Sequence, residues 1–413
     1  MRIRFTQTLC AVAAFIHFVG CGDDPSNKDL FDSPSGQSLA LSASIRAVHL
    51  TESAELLLFG AQWSIDAERV GNVVLEDQIF SEPTHLSVAN GQGAAAEPRF
   101  FNRIPATYDA DAIETALTSA NQVWWVLDLQ RLDRQWLVDW EGLVRDEPAA
   151  RETSFTVAIR NSENGGDYTS ESIVYVTDAL AAAPVLPNYL IIGADLERQY
   201  LAAPNDWSAL AAHVEAIAAA VRAAHPDIKL GVGFNWSAFM SGVVPQFESE
   251  ELVEFGAVRA AWEAVIDPMY MTPVLDEDGE LDELVQRMDV YGFSAIPDTE
   301  VYSLANTVPD THFVGISQIF GETPERELPV GWVRVGWPAN ASTEQSERWL
   351  SRVLDGVGDL EVPVFSWWGY ANFDADGYCV NRILAAGGRR SLCNRGLYSD
   401  SGAPQAIAEA YFE

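Results

Sequence analysis

The sequence predicts an α/β chain folded as a closed (β/α)8 (TIM) barrel, and three observations predict it. Eight short, nearly continuous apolar runs alternate mostly with helix-period stretches, the pattern of a parallel sheet covered on both faces. Their number fits a closed barrel better than an open doubly wound sheet. No Gly-rich phosphate loop follows the first run, which counts against a dinucleotide-binding fold.

The first strand is predicted at 56–63, "LLLFGAQW", the most apolar early run. Residues 64–108, which contain "NGQGAAAEP", show neither period and read as a long irregular connection, a lid or an elaborated first βα loop. Strands follow at 122–129 ("QVWWVLDL"), 154–159 ("SFTVAI") and 188–195 ("NYLIIGAD"). Four more are predicted at 228–235 ("IKLGVGFN"), 287–294 ("RMDVYGFS"), 331–337 ("GWVRVGW") and 362–368 ("VPVFSWW"). Among the helices, 206–225 opens on Asp206 and places apolar residues three and four apart. The helix over 342–354 opens with a capping-box pattern, Ser342 to Gln345.

The chain has 413 residues, 48% of them hydrophobic, enough for a large single core. Its first twenty residues stand apart. Arg2 and Arg4 precede the apolar "LCAVAAFIHFVGC", and an acidic polar stretch follows, the layout of a secretory signal. Phe18-Val19-Gly20-Cys21 reads as a bacterial lipobox with Cys21 as the lipidated first mature residue; an ordinary signal with an incidental cysteine is the alternative. This divides the chain into a signal (1–20), a flexible acidic tether (21–42) and one barrel domain (43–413). It places the protein in a bacterial cell envelope, outer membrane, periplasm or cell surface, held by lipid alone, and a monomer is expected.

Cys379 and Cys393 remain as an even pair. In an oxidising compartment their disulfide would close a short loop and contribute about 3 kcal/mol. Two free thiols are the alternative.

Acidic residues outnumber basic ones 60 to 25, a net charge of −35, and losing Arg2 and Arg4 with the signal deepens it. Lys28 and Lys229 are the sole lysines, so no basic patch exists to hold nucleic acid. The histidines beyond the signal lack metal-ligand spacing, "DEDGELDE" (276–283) reads as an acidic solvated turn, and no Gly-x-Ser-x-Gly elbow occurs. Neither a metal nor a cofactor is expected.

A barrel works at the C-terminal ends of its strands. Those ends offer Asp128, Asn161, Asp195, Asn235, Ser294, Arg334 and the pair Trp367 and Trp368, with Glu197 two residues past Asp195. The strings "YLIIGADLERQYL", "DIKLGVGFNW", "MDVYGFSAIP", "VRVGWPANASTEQSERWL" and "NRGLYSDSGAPQAIAEAY" together resemble the second half of a clan A (β/α)8 glycoside hydrolase. The closest flavour is the cellulase-like and endo-β-galactanase-like group. The resemblance implies a general acid/base at the end of the fourth strand, after Gly-Asn, and a nucleophilic glutamate at the end of the seventh, before Gly-Trp-Pro.

Four departures fall on that working surface. Ala194 stands for the asparagine, Asp195 for the acid/base glutamate, Arg334 for the nucleophile and Ile296 for the tyrosine after the sixth strand. An arginine stays protonated and cannot attack an anomeric carbon. Facing Asp195, it would form a charge-assisted pair that keeps the carboxylate ionised, the opposite of what a general acid needs.

Three functional readings follow from the resemblance. The first is a non-catalytic barrel that binds carbohydrate, with Trp236, Trp337, Trp367 and Trp368 stacking on sugar rings or, alternatively, packing the core. The second is an active hydrolase in which Asp195 or Glu197 works with a distant carboxylate such as Asp289, Glu322 or Asp374. In the third, Arg334 recognises a substrate carboxylate. A purely structural surface lipoprotein is a further alternative.

Overall fold

The computed structural model describes residues 39–50, 59, 63, 67–76, 110–127, 168–183, 185–249, 254–275, 281–297, 301, 304–337, 343–370, 372, 396–399 and 402–412. The signal, Cys21, the tether up to residue 38, Cys379, Cys393, Asp128, Asn161 and Asp374 lie outside them.

Eight parallel strands close into a barrel: β1 (Arg46–Leu50), β2 (Asn72–Glu76), β3 (Gln122–Leu127), β4 (Tyr189–Ile192), β5 (Lys229–Asn235), β6 (Val290–Ala295), β7 (Val330–Val335) and β8 (Phe365–Trp367). Each strand pairs with its predecessor, and β8 returns to β1 through Arg46 opposite Phe365. The protein is therefore a (β/α)8 barrel. A separate two-stranded hairpin, Met271–Leu275 with Leu281–Gln286, lies between β5 and β6.

The first half of the strand assignment needs correction. The two described residues of the run predicted as strand one, Phe59 and Trp63, have helical backbone, and eight other strands close the ring. Their rings pack with centroids 4.8 Å apart. The first strand is instead "RAVHL". The second, "NVVLE", lies inside the stretch expected to be irregular. The predicted third strand, 154–159, lies outside the described residues, and β3 pairs directly with β4. Strands four to eight fall where the sequence places them.

Alternation fills the barrel from within. Val74, Trp124, Ile191, Val290, Val333 and Val364 form an inner cluster, while their strand neighbours join the larger core under the helices. Gly331 makes room for this filling, since a Cβ there would lie 2.7 Å from the Trp124 ring. At the β8–β1 seam the Tyr411 hydroxyl accepts the Ala47 N–H at 3.2 Å and lies 2.7 Å from the carbonyls of Ala47 and Phe365. The last described helix, Ala406–Phe412, thereby fastens the ring where its first and last strands meet.

The outer helices include Trp207–Ala224, Val314–Glu322 and Thr343–Gly356. Ser342 lies outside the described residues. Gln345 bonds across the fold, its Oε1 accepting the Ala305 N–H at 2.7 Å.

Candidate functional site

The mouth is built at the strand C-termini by β1, β2, β4, β6 and β7. Inward positions on β1 run Ala47, His49, and on β2 Val74, Glu76, so alternation alone carries both polar side chains to the same end. Just past β4, Gly193 (φ 84°) and Asp195 (φ 53°) have left-handed backbone, with Ala194 between them packed on the inner cluster. Asp195 is the only described non-glycine residue with positive φ, a conformation that costs most side chains energy and that aspartate tolerates better than most.

Arg334 reaches the mouth through a β-bulge. The β6–β7 register shifts between Phe293 opposite Trp332 and Ser294 opposite Arg334. Val333 belongs to the inner cluster while Trp332 and Val335 belong to the outer core, so Val333 and Arg334 both turn inward. A bulge of this kind re-aims a side chain.

Arg334 is then held on several sides. Its Nη2 donates to Asp195 Oδ1 at 2.9 Å and its Nε to Ser294 Oγ at 3.1 Å. Its Nη1 lies 3.5 Å from Glu76 Oε1, and Trp368 covers it with the ring centroid 6.0 Å from the guanidinium carbon. His49 Nε2 approaches the same Glu76 oxygen at 3.3 Å. A chain His49–Glu76–Arg334–Asp195 thus crosses the mouth. The side chain of Asp195 is 20% exposed, against 9% for Arg334 and 6% for Glu76.

Glu197 lies just behind, fully buried at the start of the short helix Glu197–Ala202. Its Oε2 accepts the Asn235 N–H at 2.8 Å. Asn235 caps the turn after β5, accepting the Ser237 N–H, and donates its side-chain amide to the Ile296 carbonyl. Burial, reinforced by the charge of Asp195, pushes the Glu197 carboxyl up to about 8. At neutral pH it holds a proton and ties the start of its helix to the end of β5.

That shift has a signed consequence. Between the unfolded value of 4.5 and the folded value near 8 the native state holds a proton that the unfolded chain has lost. Stability contributed by this group therefore declines as pH rises through that window, by up to about 1.4 kcal/mol per pH unit. Glu197→Gln removes this slope, so urea unfolding at pH 5, 6, 7 and 8 is expected to show a variant that gains on the wild type as pH rises. Parallel stability profiles would contradict it.

The other predicted residues do not gather at the mouth. Asp289 precedes β6 at the opposite end of the barrel, where its Oδ2 accepts the Leu230 N–H and pairs with Arg222. Glu322 is on an outer helix, bonded to Arg259 at 2.7 Å. Trp236 is fully buried against Phe239, Trp262 and Phe293, and its indole N–H donates to the His312 carbonyl. Trp337 packs on Trp349, and Trp367 points into the outer core. These three indoles have no face left for a sugar. Trp368 alone of the four is partly exposed. A Ser237–His312 pair at 3.2 Å is buried too, and burial lowers the His312 imidazole to about 3. Among the described residues no cluster of metal-ligating side chains occurs.

Glu76 and His49 are the mouth residues that sequence reasoning misses. Each lies on a five-residue strand, RAVHL or NVVLE, whose own polar residues hide the alternation.

Comparison with known proteins supports the architecture. No family model and no curated protein matches the sequence. Among solved structures, endo-glycoceramidase II from a Rhodococcus species in complex with cellobiose-like isofagomine is 12% identical. The alignment covers 91% of this chain and 81% of that one with a TM-score of 0.52. A β-glucuronidase 2 from Bacteroides uniformis is 9% identical over 91% of this chain, TM-score 0.46, and this chain spans about a third of its length (35%). A psychrophilic family 10 endo-β-1,4-xylanase is 10% identical over 89% of this chain and 96% of its own, TM-score 0.44. The likeness to the endo-glycoceramidase shows the fold, a (β/α)8 barrel.

Proposed function

We propose that this barrel binds glycans at its strand C-terminal mouth and has lost, or greatly reduced, retaining hydrolysis. One observation carries the reading: the end of β7 holds Arg334, paired with Asp195 at the end of β4. Double displacement needs two carboxyl groups about 5 Å apart, one of them free to attack. Among the described mouth carboxyls, Glu197 is fully buried, Glu76 is enclosed between His49 and Arg334, and Asp195 is tied to the same arginine. What remains is a recognition surface, with the Asp195 carboxylate and the Trp368 indole as its accessible parts. The cellobiose-like ligand of the Rhodococcus endo-glycoceramidase supports glycan as ligand class. The lipobox supports export and anchoring through Cys21, and a Cys21→Ala protein that still incorporates labelled fatty acid would refute the anchor.

A second reading is favoured by Glu197. A carboxyl protonated at neutral pH two residues from a carboxylate is the division of labour that acid–base pairs use. In that reading the protein is an active hydrolase whose acid becomes accessible on substrate binding.

One experiment separates the two. The purified protein is screened for binding on a glycan array and for turnover on aryl-glycosides and polysaccharides. Binding without product, weakened about tenfold by Trp368→Ala as expected for one lost stacking contact, supports recognition. Turnover abolished by Asp195→Asn or Glu197→Gln establishes the hydrolase instead.

A further inference from the structure

We infer that the mouth selects glycans bearing free amino groups over neutral ones and rejects uronic acids. This rests on the glycan-binding reading above and adds the ligand class. The arginine is the obvious partner for a sugar carboxylate, yet its geometry argues against that role. Arg334 points Nε at Ser294 and Nη2 at Asp195, with Nη1 toward Glu76 and Trp368 over its plane. Its side chain is 9% exposed. An incoming carboxylate would have to displace Asp195 or Glu76 and then sit beside both negative charges.

The charged group that a ligand meets is Asp195. One of its oxygens is taken by Arg334, and among the described residues no protein donor reaches the other, Oδ2. That oxygen accepts a hydrogen bond from a ligand, and an ammonium donor makes a stronger bond there than a hydroxyl. Asp195 and Glu76 flank Arg334, His49 Nε2 lies 3.3 Å from Glu76, and the chain carries −35 overall.

The test uses the folded domain at pH 6, where sugar amines are protonated. Oligomers of glucosamine, their N-acetylated counterparts and uronic acid oligomers of equal length are compared by calorimetry, after a printed array carrying all three classes. The expected order is amine, then neutral, then uronate. The gap between the first two should be about tenfold at low salt and shrink as sodium chloride is raised. Asp195→Asn should close the gap, whereas Glu344→Gln, on an exposed outer helix, should not. Neutral sugars bound as tightly as amino sugars, or uronates bound best, would overturn the inference and leave the binding reading standing. No binding by any class would overturn both.

Discussion

Arg334→Ala is expected to lower the free energy of unfolding by about 3–5 kcal/mol. The magnitude comes from what is left behind. Asp195 and Glu76 lose the cation that lies 2.9 Å and 3.5 Å from them, and Ser294 loses its donor. Two carboxylates then share a mouth that offers them little water. Arg334→Glu, which restores the residue type of a retaining nucleophile, should be worse still at neutral pH and recover in acid, where protonation relieves the repulsion. Neither variant should gain turnover, because the bulge and its partners are arranged for a cation. Urea unfolding of Arg334→Ala and of Arg334→Ala combined with Asp195→Asn supplies the check. The double variant should recover part of the loss, and a single-variant loss below about 1 kcal/mol would show that the pair is solvated like an ordinary surface bridge.

Trp236→Ala is expected to cost about 3–5 kcal/mol as well, for an unrelated reason. The indole fills the space between β5, the 262–266 segment and the outer helix layer, touching Phe239, Trp262 and Phe293. Its N–H satisfies the buried carbonyl of His312. Removing it opens a cavity and leaves that carbonyl without its donor. Glycan affinity measured on the surviving folded fraction should be unchanged, the opposite of Trp368→Ala, where affinity should fall with stability intact. Were Trp236→Ala to weaken binding without unfolding, the indole would belong to the ligand site after all.

Strands four to eight were legible because each is a run of apolar residues bounded by polar turns, long enough that strand and helix readings diverge. The beginning of the barrel was not. "RAVHL" and "NVVLE" are five residues each, and a terminal glutamate or an inward histidine makes them look like loop. "LLLFGAQW" outscores both on apolarity, although Phe59 and Trp63 lie on helical backbone. Glu76 and His49 were lost with those strands. The opposition of Arg334 and Asp195 followed from topology, since the fourth and seventh strand ends face one another across a closed ring. Burial separated Trp236 from Trp368, and no sequence pattern distinguishes an indole facing helices from one facing solvent. Glu197 was readable as a residue but not as a buried acid, because its environment is assembled by Asn235, distant in the chain.

The bulge on β7 makes chain length there as decisive as residue type. Deleting a single residue between Trp332 and Val335 would restore strict alternation. Either Val333 or Arg334 would then be absent from the inner face, and an apolar stopper could replace the cation without any further change. Insertions and deletions, which loops absorb silently, would here rewrite what the mouth presents. Any attempt to graft a new recognition group onto this strand must keep its residue count before it chooses a side chain.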